Sequence, residues 1–264
     1  MKRTVAAPLA IALMLMAMPA AAGVTITQQR KTSGAKKDRT FSETIWIQGH
    51  KRKVALYDGA VITDLDAGKM YELDLVHKRY TEASFPPAGL VGEAFARGEG
   101  MFDFKKTRTS HKVAGYTCDD YTGSIKQPGA RYTTTACVST TAPGANEFTA
   151  FRSAMAEKLK SANLTPSAIS IPPGIPLKID SATETLLVPQ AKAKNLHNEG
   201  IQIEQTLAKH HRLASQVLVS KIEVSDLPPE TFTVPANFKS NLRRVSAPRA
   251  KPGASATPTP AAKP

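Results

Sequence analysis

Through most of the chain, apolar and polar residues alternate with a period of two, the spacing that gives an extended strand one buried and one solvated face. TFSETIWIQ, from Thr40 to Gln48, sets Phe41, Glu43, Ile45 and Ile47 against Ser42, Thr44 and Trp46. The Gly49-His50 step has turn character, so the run reads as one arm of a hairpin continuing into KRKVALY. AVITDL, KMYELDL, MFDFKKT from Met101, YTCDDYTGSI, RYTTTACV, IPLKIDS, IQIEQTL and ASQVLVSKIEV repeat the pattern. Asp58-Gly59, Ala67-Gly68 and Pro128-Gly129 punctuate them as turns. A strand-helix-strand rhythm and a Gly-rich first turn are both missing, which argues against a doubly wound nucleotide-binding fold.

Two segments break this rhythm. Leu90, Val91, Ala94 and Phe95, between Pro87 and Gly98, fit one face of a short helix. From Asn146 to Ala162, Phe148, Phe151, Met155 and Leu159 recur at spacings of three and four, and Asn163 and Pro166 supply a stop. A helix with one apolar stripe must cover something. The predicted fold is therefore mainly β, of the α+β class: a curved antiparallel sheet or half-barrel with one or two helices covering its concave face.

The ends of the chain read differently. Lys2 and Arg3 precede a run of Ala, Leu, Ile and Met from Val5 to Met18, and Ala20-Ala21-Ala22 offers small residues for cleavage, so residues 1–22 read as a signal peptide. The apolar run is short for a membrane span and Pro19 interrupts its end. No Cys follows it, so a lipoprotein anchor is not predicted and the expected address is periplasmic or secreted. From Ser246 to Pro264 the chain holds Pro, Ala, Ser, Thr and cations without a large apolar residue, the composition of a disordered tail. Residues 23–245 are left as one domain. Among 264 residues only Cys118 and Cys137 are cysteine. In an exported chain an even pair is most simply a disulfide, and no CxxC spacing supports a metal or redox pair.

The order of ITDLDAGKMYELDLVHKRYTE, VAGYTCDDY, a helix, GIPLKID and FTVPANFK resembles the bacterial secreted family called domain of unknown function 4412. The resemblance covers roughly Val24 to Lys239 and is carried by Ala114-Gly115-Tyr116, Gly174-Ile175-Pro176-Leu177 and Val234-Pro235-Ala236. That family is grouped with the incomplete barrels of the LolA, LolB and LppX type. The resemblance implies a half-barrel whose apolar concave side is closed by helices, with no settled activity.

A search for chemistry is mostly negative. GxSxG, HExxH, GxxxxGK[ST] and a dinucleotide fingerprint are absent, so no catalytic residue, metal site or cofactor is predicted. His210 and His211, adjacent in sequence, would point to opposite faces of a strand and read as part of a basic turn. Asp119 and Asp120 meet the same objection as a catalytic pair, and Asp64 and Asp66 read as turn acceptors. The formal charge of +13 gathers at Arg30 to Arg39, at Lys51, Arg52 and Lys53, and from Lys105 to Lys112. If these are rim turns, positive potential collects at one end of the sheet. Export and the scarcity of aromatics among the cations disfavour nucleic acid, leaving anionic lipid headgroups or wall polymers, or charge that serves solubility alone. Two function classes follow. One is an envelope carrier holding a lipid or other apolar ligand in a cavity lined by Ile45, Ile47, Leu56, Leu73, Phe104 and Ile203, with Lys51, Arg52 and Lys53 as its basic rim. The other is a structural adaptor with a filled core that contacts anionic envelope polymers.

Overall fold

The alternation read along Thr40 to Gln48 forms strand β2 (Arg39–Gln48), and the Gly49-His50 turn folds it back on β3 (Lys51–Ala55). The computed structural model describes residues 22–33, 38–87, 104–127, 130–164, 172–185 and 212–241. The predicted short helix around Leu90 and the IQIEQTL run lie outside them, as do His210, His211 and the terminal segments. The remaining strands are β1 (Gly23–Ser33), β4 (Gly59–Asp64), β5 (Lys69–Asp74), β6 (Arg79–Ser84), β7 (Lys105–Val113), β8 (Tyr116–Gln127), β9 (Ala130–Ser139), β10 (Ile175–Thr185), β11 (Arg212–Ser225) and β12 (Lys239–Ser240). Helix α1 (Ala145–Ser161) is the one α-helix among the described residues.

All twelve strands belong to one sheet, ordered β12-β6-β5-β4-β3-β2-β1-β11-β10-β9-β8-β7. Its ladders are antiparallel except at the β12–β6 edge, where Lys239 and Ser240 run parallel to Arg79 and Tyr80. The sheet is unclosed, and it curls enough to bring β7 near β11. The structure is thus mainly β, as the alternation requires, and the open curved sheet fits a half-barrel.

Because apolar residues stand in both phases, Ile45 and Ile47 against Trp46 in β2, both faces of the sheet need cover, and two different segments provide it. On one face lies α1, whose Phe151, Met155 and Leu159 are buried to within 1%. They join Val24, Ile26, Ile47, Ile175, Leu177, Val219 and Ile222 in one apolar core, against which Phe148 and Ile45 pack half-buried. The helix seats closely because Gly144, at its N-cap, has φ 76° and no side chain; a Cβ there would stand 2.5 Å from Val24 Cγ2. Thr149 fastens the helix to the start of β10, since its Oγ1 donates to Ala145 O at 2.7 Å and accepts from Gly174 N–H at 2.9 Å. Asn163, with φ 56°, turns the chain out of the helix, as its position after the apolar stripe predicts.

The other face, over β2 to β6, is covered by the segment after β11. Leu227, Phe232, Val234 and Phe238 pack there with Ala60, Ile62, Leu73, Trp46, Tyr71 and Tyr80. Gln48 holds the start of this segment, donating to Asp226 Oδ1 at 2.9 Å and accepting from Leu227 N–H at 3.0 Å. Cys118 and Cys137 are disulfide-bonded across β8 and β9, their Cα atoms 5.2 Å apart. Removing the centre of the helix stripe tests the packing: Phe151→Ala is expected to cost about 3–5 kcal/mol and to lower Tm by roughly 10 °C. Calorimetry reads this directly, and an unchanged Tm would remove Phe151 from the core.

Candidate functional site

The register of β2, β3, β4 and β5 decides whether the six residues expected to line a cavity can meet. Ile45 stands opposite Val54 and Ile47 opposite Arg52, all on the helix face. Leu73 stands opposite Ala60, which faces Ala55, which faces Thr44. Thr44 and Trp46 alternate with Ile45 and Ile47, so Leu73 belongs to the other side of the sheet, under Phe232. Leu56 follows β3 and is 40% exposed, Phe104 is half-buried ahead of β7, and Ile203 is outside the described residues. Ile45 and Ile47 thus lie on one face of the sheet and Leu73 on the other. Ile45 and Ile47 are core beneath α1, and Leu73 is core beneath the C-terminal segment.

The same alternation divides the expected rim. Lys51 pairs with Asp64 at 3.3 Å and Lys53 lies over the Trp46 ring at 5.5 Å, both on the face away from the helix. Arg52 points to the helix face, its guanidinium carbon 5.3 Å from the centroid of Phe151. Burial beside Trp46 lowers the Lys53 ammonium below its usual value, because leaving water disfavours the charged form. Nor do the three basic clusters gather at one end. Among the described residues, Lys31 and Arg39 stand at one end of the β1–β2 ladder and Lys51 beyond the other end of β2, and the run from Lys105 to Lys112 is not a turn at all. It is β7, one edge of the sheet.

That edge strand, KKTRTSHKV, carries Lys105, Lys106, Arg108, His111 and Lys112, all exposed, and no acidic residue of its own. Two carboxylates on β8 hold it. Asp119 accepts from Lys106 Nζ at 2.6 Å and Ser110 Oγ at 2.7 Å, and these bonds, led by the one from Lys106, hold its carboxyl below the usual range. The same contact raises Lys106. Asp120, on the alternate face, is nearly buried, pairs with His111 Nε2 at 2.7 Å and accepts from Thr109 Oγ1 at 2.9 Å. Asp119 and Asp120 thus point apart, as expected of strand neighbours. Asp64 acts as a turn acceptor, taking the Ala67 N–H at 2.9 Å, while Asp66 pairs with His50 at 2.7 Å.

One polar group lies where an apolar residue would be expected. Glu43 is in phase with Ile45 and Ile47, yet its side chain is 8% exposed and ionically held, with Gln28 Nε2 at 2.8 Å and Arg30 Nη2 at 3.0 Å. Its signal in sequence is a carboxylate at an apolar-phase position, and Gln28 and Arg30 complete it from β1. A cavity of about 340 Å3 lies by the β5–β6 turn, lined by Leu73 and Tyr80 but also by Asp58, Glu72, Asp74 and Arg79. Its charged lining suits no acyl chain. Within the described residues no three His, Cys, Asp or Glu side chains could hold a metal, and no helix is long and apolar enough to cross a membrane.

No protein-family model and no curated protein matches the chain. Among solved structures it is similar to PNGF-II, with a TM-score of 0.39 and 10% identity over 83% of this chain. The matched part is 31% of that protein's length. A LolA superfamily protein from Nitrosomonas europaea gives 0.29 and 9% over 82% of this chain and 91% of its own, and a DUF1329 family protein from Desulfovibrio piger 0.29 and 9% over 80% and 89%. LolA-type proteins, the wider group that the sequence resembles, thus stand among these structures, while the narrower family finds no matching model. Likeness at this level assigns no function.

The Asp119 contacts carry a pH signature. A carboxyl whose folded value is depressed contributes stability above its ordinary value of 3.8, and loses it as pH falls through the lowered one. Asp119→Asn is therefore expected to lower the urea midpoint at pH 7 and to converge with the parent protein as the pH drops below 3.8. Parallel curves at all pH values would show that the Lys106 and Ser110 contacts contribute nothing.

Proposed function

We propose that the protein is an exported, non-catalytic adaptor of the cell envelope, which takes up nothing small in its core and contacts an anionic envelope polymer through edge strand β7. The observation that carries this reading is the occupied helix face: Phe151, Met155 and Leu159 fill the ground between Val24, Ile26 and Ile47 where an apolar ligand would lie. Lys105, Arg108 and Lys112 support the polymer contact, being exposed along one edge and free of acidic neighbours within their strand. The same charges protect the edge from pairing with other strands.

Lipid carriage is the second reading. It is supported by the reach of α1, which packs chiefly on β1, β2 and β10, so that among the described residues the helix meets only part of a twelve-stranded sheet. Each CH2 held on uncovered apolar surface would contribute about 0.8 kcal/mol.

Two titrations on delipidated protein separate the readings. A fluorescent fatty acid is expected to give no saturable signal, and polyphosphate is expected to bind in a manner that weakens with added salt. Replacing Lys105, Arg108 and Lys112 together by Ser should weaken polyphosphate about tenfold. Saturable fatty-acid uptake would favour the carrier. Polymer binding undiminished in the triple variant, with self-association, would leave β7 a protected edge only.

A further inference from the structure

On the face away from α1, four adjacent strands bring two rows of side chains into register. Thr135 on β9, Asp180 on β10, Gln216 on β11 and Lys31 on β1 form one row. Thr133, Ala182, Ala214 and Ser33 form the next. With strands about 4.8 Å apart, each row runs about 14 Å across the sheet. A cavity of about 400 Å3 opens over these two rows. Its depth comes from Ala182 and Ala214, the small residues at the middle of the second row, where the first row carries Asp180 and Gln216.

The chemistry of the trough is mixed in a regular way. Gln216 Nε2 donates to Asp180 Oδ1 at 2.8 Å, and Lys178 Nζ meets Asp180 Oδ2 at 2.8 Å. These contacts fix the carboxylate and the amide in place and leave the cleft with both donors and acceptors. On one side of this polar row lie Ala182 and Ala214. On the other lies Leu218, in the next row on the same face and 39% exposed. Charge is matched locally, Lys178 by Asp180 and Lys31 by Asp38 at 4.0 Å, in a chain whose formal charge is +13. A site for a polyanion would hold an excess of cations, and one for an acyl chain would not line its centre with a carboxylate and an amide.

We propose that this trough binds a neutral oligosaccharide. Sugar hydroxyls both donate and accept, matching Asp180, Gln216 and Thr135, and the C–H faces of the rings match Ala182, Ala214 and Leu218. Of the residues in both rows none is aromatic, so binding rests on hydrogen bonds without ring stacking and is weak. The site is separate from β7 and its claim is independent of the polymer contact.

The test is a titration of 15N-labelled protein with three neutral trisaccharides, maltotriose, cellotriose and chitotriose, followed by NMR. At least one is expected to shift the amide signals of Ala182, Ala214 and Gln216 in a saturable way. Gln216→Ala should weaken that binding about fivefold through loss of one hydrogen bond. Ala214→Leu, which fills the trough, should abolish it with the circular dichroism unchanged, and the β7 triple variant should bind as the parent does. Silence of these signals with all three sugars overturns the proposal. So does binding that survives Ala214→Leu in a folded protein, or a response of the same residues to polyphosphate instead.

Discussion

The contact of Phe151, Met155 and Leu159 with Val24, Ile26 and Ile47 is the interaction on which the rest of the structure depends. It joins a helix from the second half of the chain to its first two strands, and it decides that the helix face is interior. Every other assignment follows from that choice. Once Ile45 and Ile47 face α1, the antiparallel ladders send Trp46, Lys53, Ile62 and Leu73 to the opposite side. There a second cover, the stretch from Leu227 to Phe238, becomes necessary. An open sheet with apolar residues in both phases needs two lids, and this chain supplies them from separate places.

That dependence explains what was legible in the sequence and what was not. The stripe in α1 could be read within a residue at either end because the 3.6 period is local. The β2–β3 hairpin and the disulfide were legible for the same reason, one from a turn between two alternating runs and the other from the lone cysteine pair. Alternation along one strand, however, does not say which phase of the next strand shares its face; only the interstrand register does. Ile45 and Leu73 look alike in sequence and lie on opposite sides in space. Strand β1 was not read because TQQRKT gives most of it a polar character, although Val24 and Ile26 are central to the core. The cluster of Glu43, Gln28 and Arg30 and the trough over β9, β10, β11 and β1 were hidden likewise, since each is assembled across strands by pairing.

Charge is arranged by the same rules. Adjacent basic residues on a strand do not make a patch, because Lys51 and Lys53 leave Arg52 on the far side, and each is already engaged with a carboxylate or an aromatic ring. Cations accumulate instead along β7, the last strand of the sheet among the described residues. A bulge between Lys106 and Ser110 adds to the protection by breaking the regularity of that edge.

The place of β1 has a consequence for how the molecule comes into being. This first strand lies at the middle of the sheet, between β2 and β11, with Gly23 opposite Ser225. The hairpins β2 to β6 and the ladder β7 to β10 are assembled from near neighbours in the chain, but the seam that unites them waits for residues about two hundred positions apart to meet. A polypeptide made from its N-terminus therefore has both flanking ladders in hand before it can close the centre. Until β11 (Arg212–Ser225) has been made, the two ladders are separate pieces of sheet, and the strand that ends up at the middle has one of its two neighbours missing.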